Sequence, residues 1–438
     1  VLNFVGISAN KRLVGLCTDL ETLSTLQLPN KHHRFKLLAR TKWDLMTETD
    51  NHQPQGALRN LRIADFSRVL AGPLATMVLG DLGADIIKIE QPGVGDDTRT
   101  WGPPWWSDGE NTTSTYYLGF NRNKRSISLD LRDQEDLKLA HQICLSADVV
   151  IDNFRTGTMD RFSLTRESLA KENPGIITCS ITGFGSTGPG AELAGYDFVV
   201  QAMSGIMHIT GEVDGEPSKI GSAMVDKLTG LYAAIGILAA LQERHQTGLG
   251  QHVEVSLMQS ALAGLLNVGA AHATADIDPG RYGNRHPSIA PYEPYQASDG
   301  PIIIAAASPL LWERLCEEMG RIDWITDSRF KTNENRLVNI DALATEINAE
   351  LSKDTAVAWV ERLQTAGIPV GLVNDVRAAF ATAETLGLDP VVVLGDDENA
   401  FRSVRSPLQM EITPPTVRRT PPTNNQHGEE IRQELEES

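Results

Sequence analysis

The stretch LRIADFSRVLAGPLATMVLGDLGADIIKIE, residues 61–90, decides the fold, because two apolar runs in it flank one helical pattern. Leu61–Phe66 predicts a short strand, Pro73–Leu82 a helix and Ile86–Glu90 a second strand. A strand–helix–strand unit of this length places two parallel strands in one sheet. We therefore expect an α/β fold with a mostly parallel, doubly wound sheet.

The same alternation continues down the chain. Ile127–Leu131, Asp148–Ile151 and Ile176–Ile181 predict further strands, and Asp133–Ser146 and a stretch near Met159–Lys171 predict the helices between them. Ligands of such doubly wound sheets bind beyond the carboxyl ends of the strands. The segments that follow the predicted strands are therefore the first place to look for a site.

Those segments are rich in glycine and in basic or amide side chains. Loops of this composition suit a phosphorylated ligand, whose oxygens accept hydrogen bonds from backbone N–H groups. The glycines could equally serve only to make tight turns. No G-x-G-x-x-G follows the first strand and no Walker lysine motif is present, which argues against NAD and P-loop sites. The four segments are Arg68–Pro73, Gln91–Arg99, Asp152–Arg155 and Thr182–Gly190.

Ser222–His245 has the clearest helical pattern in the chain, with apolar residues at helical spacing. Gly221 and Ser222 suit its start, and Gly248 follows its end. Asp226 falls in or near the first turn, where we expect the helix dipole to keep the carboxylate ionised. The alternative is a surface acid that only stabilises the helix.

A second, smaller α+β domain is predicted over residues 281–375. Its signals are a hairpin that turns at Ser298–Gly300 and helices that alternate with a strand near Pro369–Val373. We expect residues 58–257 to form the first part of a large domain, and residues 376–438 are the C-terminal segment that follows the small domain. Residues 1–57 lack this regular pattern and predict an N-terminal extension, either a leader or a disordered segment.

Composition limits the classes of function. The net charge is 39 − 57 = −18, so a general nucleic-acid binder is not expected. No stretch approaches the ~18 uninterrupted apolar residues of a membrane span. Four scattered cysteines predict buried thiols in a reducing compartment, mitochondrial or cytoplasmic, and the histidines show no zinc-binding pattern.

A series of short motifs between Leu58 and about Leu435 carries a family resemblance. The motifs are Arg68–Pro73, Gly80–Asp85, Ile87–Glu90, Asn121–Ser126, Asn153–Phe154, Gly195–Asp197, Gly221–Asp226, Gly236–Leu241 and Gly248–Gln251. In these motifs the chain resembles the family III CoA-transferases, which include formyl-CoA transferase, carnitine CoA-transferase and the α-methylacyl-CoA racemases. Four further segments, Asp96–Pro104, Ser114–Leu118, His208–Gly211 and His286–Tyr292, are most similar to the succinyl-CoA:glutarate CoA-transferase branch.

The resemblance implies a large Rossmann-like domain completed by the C-terminal segment, a small domain, and two subunits interlocked as a homodimer. It implies coenzyme A as the bound group, entering and leaving as acyl-CoA, with no metal. The family's catalytic aspartate corresponds to Asp226. Its CoA-binding positions correspond to Val69, Leu70, Leu129, Asp130, Leu131, Arg132, Asn153, Phe154, Arg155, Arg161, Leu193, Ala194, Gly195 and Tyr196.

Three positions depart from relatives within the family. Gln91 replaces a CoA-contacting arginine of formyl-CoA transferase, and Leu70 replaces a glutamine of its active site, which argues against formate or oxalate as substrate. Tyr196 stands where the racemases have a histidine. A racemase needs a second acid/base, and a phenol with an ordinary pKa near ~10 is a poor base at neutral pH. Transferase is therefore favoured over a racemase-type isomerase, which stays open.

The implied reaction moves CoA from an acyl-CoA, expected to be succinyl-CoA, to a small dicarboxylic acid such as glutarate or itaconate, through an aspartyl-CoA thioester. The acceptor's second carboxylate needs a cation, and arginine suits it because its guanidinium binds a carboxylate at two points. The candidates are Arg99, Arg281, Arg285 and His286.

Overall fold

The structure is a computed structural model, and it describes residues 56–107, 109, 111–395 and 400–437. The predicted extension 1–57 lies outside the described residues except for its last two positions. The described residues contain strands β1 to β13, which are Arg62–Asp65, Asp85–Glu90, Trp105–Ser107, Thr112–Ser114, Lys124–Ser128, Val149–Asp152, Ile177–Thr182, His252–Ser256, Tyr292–Gln296, Pro301–Ala305, Val370–Leu372, Val391–Leu394 and Phe401–Val404.

Helices α1 to α17 follow the same chain order. A single 3-10 turn, Asp97–Thr100, lies between α1 and α2. The helices are Ala71–Asp81, Thr115–Leu118, Gln134–Ser146, Thr158–Arg161, Arg166–Leu169, Asp197–Met203, Ile206–Ile209, Met224–Thr247, Leu257–Gly264, Leu266–Ala275, Pro309–Glu318, Asp323–Thr326, Asn333–Val338, Ile340–Leu351, Ala356–Thr365, Val376–Thr385 and Gly428–Glu436.

The main sheet has six strands in the order β5-β2-β1-β6-β7-β8, and every neighbouring pair is parallel. This confirms the predicted parallel α/β sheet. Strand β5 begins three residues before its predicted start, and the single helix predicted near Met159–Lys171 is two short helices, α4 and α5. The parallel arrangement brings the carboxyl ends of β1, β6 and β7 to one edge.

Alternate residues of each strand point into two hydrophobic layers. On one face Ile63 packs with Leu79 of α1 and Ile237 of α8. On the other face Ala64 packs with Ile143 of α3 and with Ile431 from the C-terminal helix α17. Both faces of the sheet are therefore covered, as the near-continuous apolar strands require.

Residues 290–368 build a separate hydrophobic core around a three-stranded sheet in the order β11-β10-β9. Strands β9 and β10 form the predicted antiparallel hairpin, in which Pro301 pairs with Gln296. Trp312 and Trp324 stack in this core with ring centroids 6.1 Å apart. The domain boundaries drawn from the sequence stay a prediction.

The C-terminal segment runs beside the edge strand β5. Asn123 accepts hydrogen bonds from the backbone N–H groups of Arg418 and Arg419 at 2.6 and 3.1 Å. His427 donates its backbone N–H to the Ser126 carbonyl at 2.9 Å. The segment therefore covers the edge of the sheet, which leaves fewer unpaired backbone groups there.

Helix α8 is long and apolar enough to cross a membrane, judged by length and composition alone. The core helix of a globular domain meets the same criterion, and Val225, Ala233 and Ile237 of α8 are buried against the sheet and α1. Among the predicted buried thiols, Cys144, Cys179 and Cys316 are free and buried, while Cys17 lies outside the described residues.

Candidate active site

A cleft of about 290 Å³ opens at the carboxyl edge of the sheet. Its walls are the loops that follow β1, β6 and β7, together with the segment before α6 and the start of α8. Asp226 thus shares one cleft with most of the predicted CoA-binding residues, which are Val69, Leu70, Asn153, Phe154, Arg155, Leu193, Ala194, Gly195 and Tyr196.

The remaining predicted CoA-binding residues lie next to this cleft. Leu129, Asp130, Leu131 and Arg132 line a neighbouring groove of about 320 Å³, and Arg68 and Phe154 line both cavities. Arg161 is exposed beside this groove, with its guanidinium 5.7 Å from the ring centre of Phe162, which lines the groove. An extended ligand could occupy cleft and groove together.

The loops after β1 and β6 are tied to each other. The Asn153 side chain accepts a hydrogen bond from the Arg68 N–H at 2.9 Å and donates one to the Arg68 carbonyl at 2.7 Å. Val69 adopts a φ of +71°, a strained conformation for a β-branched residue, and its N–H points to Asp96 Oδ1 at 3.3 Å. Strain of this kind persists where surrounding contacts hold it, often at functional sites.

Another wall of the cleft depends on two glycines in contact. A Cβ atom on Gly195 would lie 2.4 Å from the Cα of Gly183, so neither backbone could approach the other with a side chain present. Gly183 belongs to the loop after β7, and Gly195 immediately precedes Tyr196. The close approach brings the predicted CoA-binding segment Leu193–Tyr196 against the end of the sheet.

Two buried ion pairs stabilise the part of the sheet next to the cleft. Lys88 lies 2.9 Å from Asp96 and Lys124 lies 3.1 Å from Asp65, and all four side chains are almost completely buried. Burial alone would lower the pKa of Lys88, but the charges of Asp96, Asp65 and Glu90 raise it above its usual value. The Lys88 ammonium group also donates to the Ser67 carbonyl at 2.8 Å, just before the cleft loop.

Helix α8 begins at Met224, two residues after the predicted start, and ends at Gly248 in a left-handed conformation. The predicted cap at Gly221 and Ser222 is wrong, because a side chain from another helix takes that role. The Asp197 carboxylate accepts hydrogen bonds from the backbone N–H groups of Val225 and Asp226, at 2.8 and 3.1 Å. Asp226 lies in the first turn, as predicted.

The electrostatic environment of Asp226 differs from the expectation that the helix dipole keeps it ionised. Burial, followed by the negative charge of Asp197, raises the pKa of Asp226 to about 7. Asp197 already occupies the helix N–H groups that were expected to stabilise Asp226. Asp226 is therefore an unusually basic carboxylate in a cleft, a feature found at catalytic sites.

Four cationic side chains were predicted to bind the acceptor's second carboxylate, and none of them lines this cleft. Arg99 bonds to Glu90 at 2.7 and 2.9 Å and to Tyr117 at 2.6 Å. Arg281 donates to the carbonyls of His208, Glu212 and Gly215. Arg285 pairs with Glu293 and Asp341 at 2.8 Å each, and His286 stacks on Tyr292.

Two residues at this site were not among the individual site residues predicted from the sequence. Arg68 lines the cleft with its side chain half exposed and 3.3 Å from Asp97. Strand-end reasoning included it only as the first residue of the segment Arg68–Pro73 and gave it no role of its own. Asp197 lies 29 residues before Asp226 in the sequence, and no local pattern connects the two. Within the described residues, no group of three or more His, Cys, Asp or Glu side chains could hold a metal ion.

Comparison with known proteins places this chain in a family. The family model for CoA-transferase family III matches residues 58–428. The succinate–glutarate CoA-transferase of Agrobacterium fabrum is 39% identical over 394 residues, which cover 89% of this chain and 98% of that protein. The acetyl-CoA:oxalate CoA-transferase of Acetobacter aceti is 41% identical over 351 residues, which cover 80% of this chain and 89% of that protein.

A crystal structure of a CAIB/BAIF family protein from Brucella suis has a TM-score of 0.79 and 39% identity, covering 87% of this chain and 100% of that one. The fold and the sequence relatives together define an enzyme that transfers CoA. The chain belongs to CoA-transferase family III, and its substrates are CoA thioesters.

Proposed function

We propose that the enzyme moves CoA from succinyl-CoA to a small dicarboxylic acid, and that Asp226 is the covalent nucleophile. The observation that carries the proposal is the Asp226 carboxylate in the cleft formed by the strand-end loops. A carboxylate whose pKa is raised to about 7 binds protons and carbon electrophiles more strongly than an ordinary aspartate, and about half of it is ionised at neutral pH.

The first covalent step joins a carboxylate oxygen of Asp226 to the thioester carbon of the donor. The carbon–sulfur bond breaks, and CoA leaves as a thiolate while a mixed anhydride remains. The thiolate then attacks the aspartyl carbonyl carbon, which gives the aspartyl-CoA thioester and releases the donor carboxylate. The acceptor carboxylate repeats these steps in reverse, so a difficult exchange is divided into matched nucleophilic steps.

Two features of the cleft suit this chemistry. Backbone N–H groups of the glycine-containing wall around Gly183 and Gly195 can supply donors to the developing oxyanion. The acyl-CoA itself would occupy the cleft and the groove beside it, with the residues named above holding the pantetheine and nucleotide parts. Its presence would limit the access of water, which would otherwise hydrolyse the anhydride.

The choice of a dicarboxylate acceptor draws on the named activity of the Agrobacterium relative. We expect an acceptor panel with succinyl-CoA to give glutaryl-CoA or itaconyl-CoA efficiently, with oxalate and the monocarboxylate butyrate as comparisons. Butyrate has no second carboxylate and therefore lacks one charge-assisted bond, which is worth ~1.5–3 kcal/mol. Its kcat/KM should be lower than that of glutarate by roughly 10- to 150-fold. Mass spectrometry of the acyl-CoA products reads the result, and a uniform rate across the panel would oppose a dicarboxylate enzyme.

The same panel of acceptor acids can identify the cationic side chain that binds the second carboxylate. The alanine variants of Arg99, Arg281, Arg285 and His286 are compared with Arg68→Ala, which changes an arginine that lines the cleft. At least one variant should lower the ratio of glutarate to butyrate activity by about tenfold or more. If all five treat the two acids alike, none of these residues recognises the second carboxylate.

The racemase-type alternative makes a different prediction. Epimerisation removes a proton from the carbon beside the thioester, so it would introduce deuterium there in D₂O without any acceptor acid. Tyr196, which replaces the racemase histidine, lines the cleft and is exposed. We expect no exchange above the non-enzymatic background, because in the proposed reaction Asp226 attacks the thioester carbon and removes no proton from the carbon beside it.

The homodimer expected from the family also belongs to this proposal. Support comes from large apolar side chains exposed along α8, which are Leu231, Tyr232, Ile235 and Leu238. Such a continuous apolar face normally meets a partner surface. Sedimentation at nanomolar concentration should still show a dimer, because interlocked subunits separate only by local unfolding. A monomer at that dilution would contradict interlocking.

A further inference from the structure

The side chain of Asp197, the first residue of α6, contacts the backbone of Asp226, the candidate nucleophile. Its Oδ2 atom accepts the N–H groups of Val225 and Asp226 at 2.8 and 3.1 Å. These groups lie in the first turn of α8, where a helix has no acceptors of its own. A single carboxylate oxygen therefore fixes the residue that carries the reaction.

A buried amide prevents the Asp197 side chain from turning away. Gln201 is only 1% exposed, and its Nε2 group donates to Asp197 Oδ1 at 2.6 Å. Its Oε1 atom accepts the backbone N–H of Ile220 at 2.9 Å. Three donors, two from the first turn of α8 and one from Gln201 in α6 itself, thus hold Asp197 in one position, with its charge directed at the start of α8.

The other charged side chains near Asp226 do not cancel the effect of the negative charge of Asp197 on its carboxylate. Burial, followed by the charges of Asp226 and Asp197, raises the pKa of Tyr116. The other charged side chains that line the cleft are Arg68, Arg155, Asp97 and Glu192. Despite the two arginines, burial and Asp197 raise the pKa of Asp226 to about 7.

We propose that Asp197 is a positioning residue that also promotes the covalent step, because it repels the Asp226 carboxylate in the free enzyme and not in the acylated enzyme. This inference rests on the proposed role of Asp226 as nucleophile. Forming the anhydride or the aspartyl-CoA thioester removes the negative charge from Asp226 and places it first on the CoA sulfur and then on the released donor carboxylate. The repulsion is thereby relieved when the intermediate forms.

The proposal links two measurable quantities. The protonated acid and the thioester both lack the charge that Asp197 repels. Removing the Asp197 charge should therefore make proton binding and thioester formation at Asp226 less favourable by a similar factor. One pKa unit corresponds to tenfold in either equilibrium.

The test uses Asp197→Asn, which keeps an oxygen for the two backbone N–H groups and removes the charge. We expect the acid limb of kcat/KM for succinyl-CoA to move down by roughly 1 pH unit relative to wild type. At pH 8.5, with a fixed ratio of succinyl-CoA to succinate, the ratio of aspartyl-CoA enzyme to free enzyme should fall by about tenfold. Quenched intact-mass spectra measure that ratio.

Asp197→Asn also loses the hydrogen bond from Gln201, because its one oxygen is used by the two backbone N–H groups. Gln201→Met is the matched control, since it removes that hydrogen bond and keeps the charge of Asp197. It should lower kcat/KM without moving the acid limb or the intermediate ratio. Asp197→Thr is a second uncharged variant in case Asp197→Asn folds poorly, and it should behave as Asp197→Asn does. Lower activity at every pH, with both the limb and the ratio unchanged in the uncharged variants, would overturn the proposal. Absence of aspartyl-CoA in the wild type would instead overturn the function proposed for Asp226.

Discussion

Asp226→Asn is expected to lower CoA transfer by roughly 10³-fold or more, because the amide cannot act as the nucleophile. Binding of CoA should be nearly unchanged, since the substitution preserves shape and the predicted CoA-binding residues lie on other loops. Asp214→Asn, in an exposed loop before α8, controls for the loss of one negative charge. Activity near the wild-type level, with deamidation excluded by mass, would contradict the assignment.

The same variant should be more stable than the wild type at alkaline pH. The pKa of Asp226 in the folded enzyme is about 7, above the ordinary value of 3.8, so the ionised side chain opposes folding. This cost develops between the two values and is complete above about pH 7. The gain from Asp226→Asn should be roughly 2 kcal/mol at pH 8, after screening at this partly buried position is allowed for, and smaller at pH 5. Thermal denaturation at both pH values measures it.

Lys88→Met is expected to destabilise the enzyme by about 3–5 kcal/mol, because it leaves buried carboxylates without their cation. The Lys88 ammonium group is 2.9 Å from Asp96 and bonds to the Ser67 carbonyl. Asp96 also faces the Val69 N–H, so we expect the KM for acyl-CoA to rise as well. Denaturant unfolding and steady-state kinetics measure the two effects.

Lys124→Met is the matched comparison, since it removes a second lysine from the same buried network. Burial lowers the pKa of Lys124 to about 8, with Asp65 opposing the shift and Lys88 adding to it. Its charge is therefore held less strongly than that of Lys88, and the loss of stability should be smaller. The opposite order, or two losses below about 1 kcal/mol, would contradict this account of the network.

Apolar patterns located most of the parallel sheet but not the charged half of one strand. The prediction began β5 at Ile127, whereas the strand is Lys124–Ser128. Lys124 and Arg125 are buried there because Asp65 and Asp85 pair with them at 3.1 and 2.6 Å. A search for apolar runs cannot include residues whose burial depends on partners 40 or more positions away in sequence.

The C-terminal helix shows a related limit. The tail from Pro414 is rich in proline, threonine and asparagine, a composition that gives no helical signal, and α17 at Gly428–Glu436 was not predicted. That helix buries Ile431 against the sheet, while Glu430 and Glu434 pair with Arg125. Its stability depends on tertiary contacts that its own composition does not reveal.

The rule that ligands bind beyond strand ends correctly predicted which distant segments form the site, which local sequence patterns alone could not do. It placed Arg68–Pro73, Asn153 and the loop after β7 at one edge, and these segments do form one cleft around Asp226. The pairing of Asp197 with the first turn of α8 and the intramolecular partners of Arg281 and Arg285 arise only from the folded chain. Sequence spacing therefore placed Asp226, the proposed nucleophile, in the first turn of its helix but did not predict the electrostatic environment of its carboxylate.

The central claim, a covalent CoA intermediate on Asp226, is tested most directly by trapping. Wild-type enzyme is mixed with succinyl-CoA, quenched in acid and analysed by intact-mass and peptide mass spectrometry. The account predicts a mass gain of one CoA less one water, located on Asp226 and lost when glutarate is added before the quench. Steady transfer with no such adduct, or an adduct on a different residue, would contradict it.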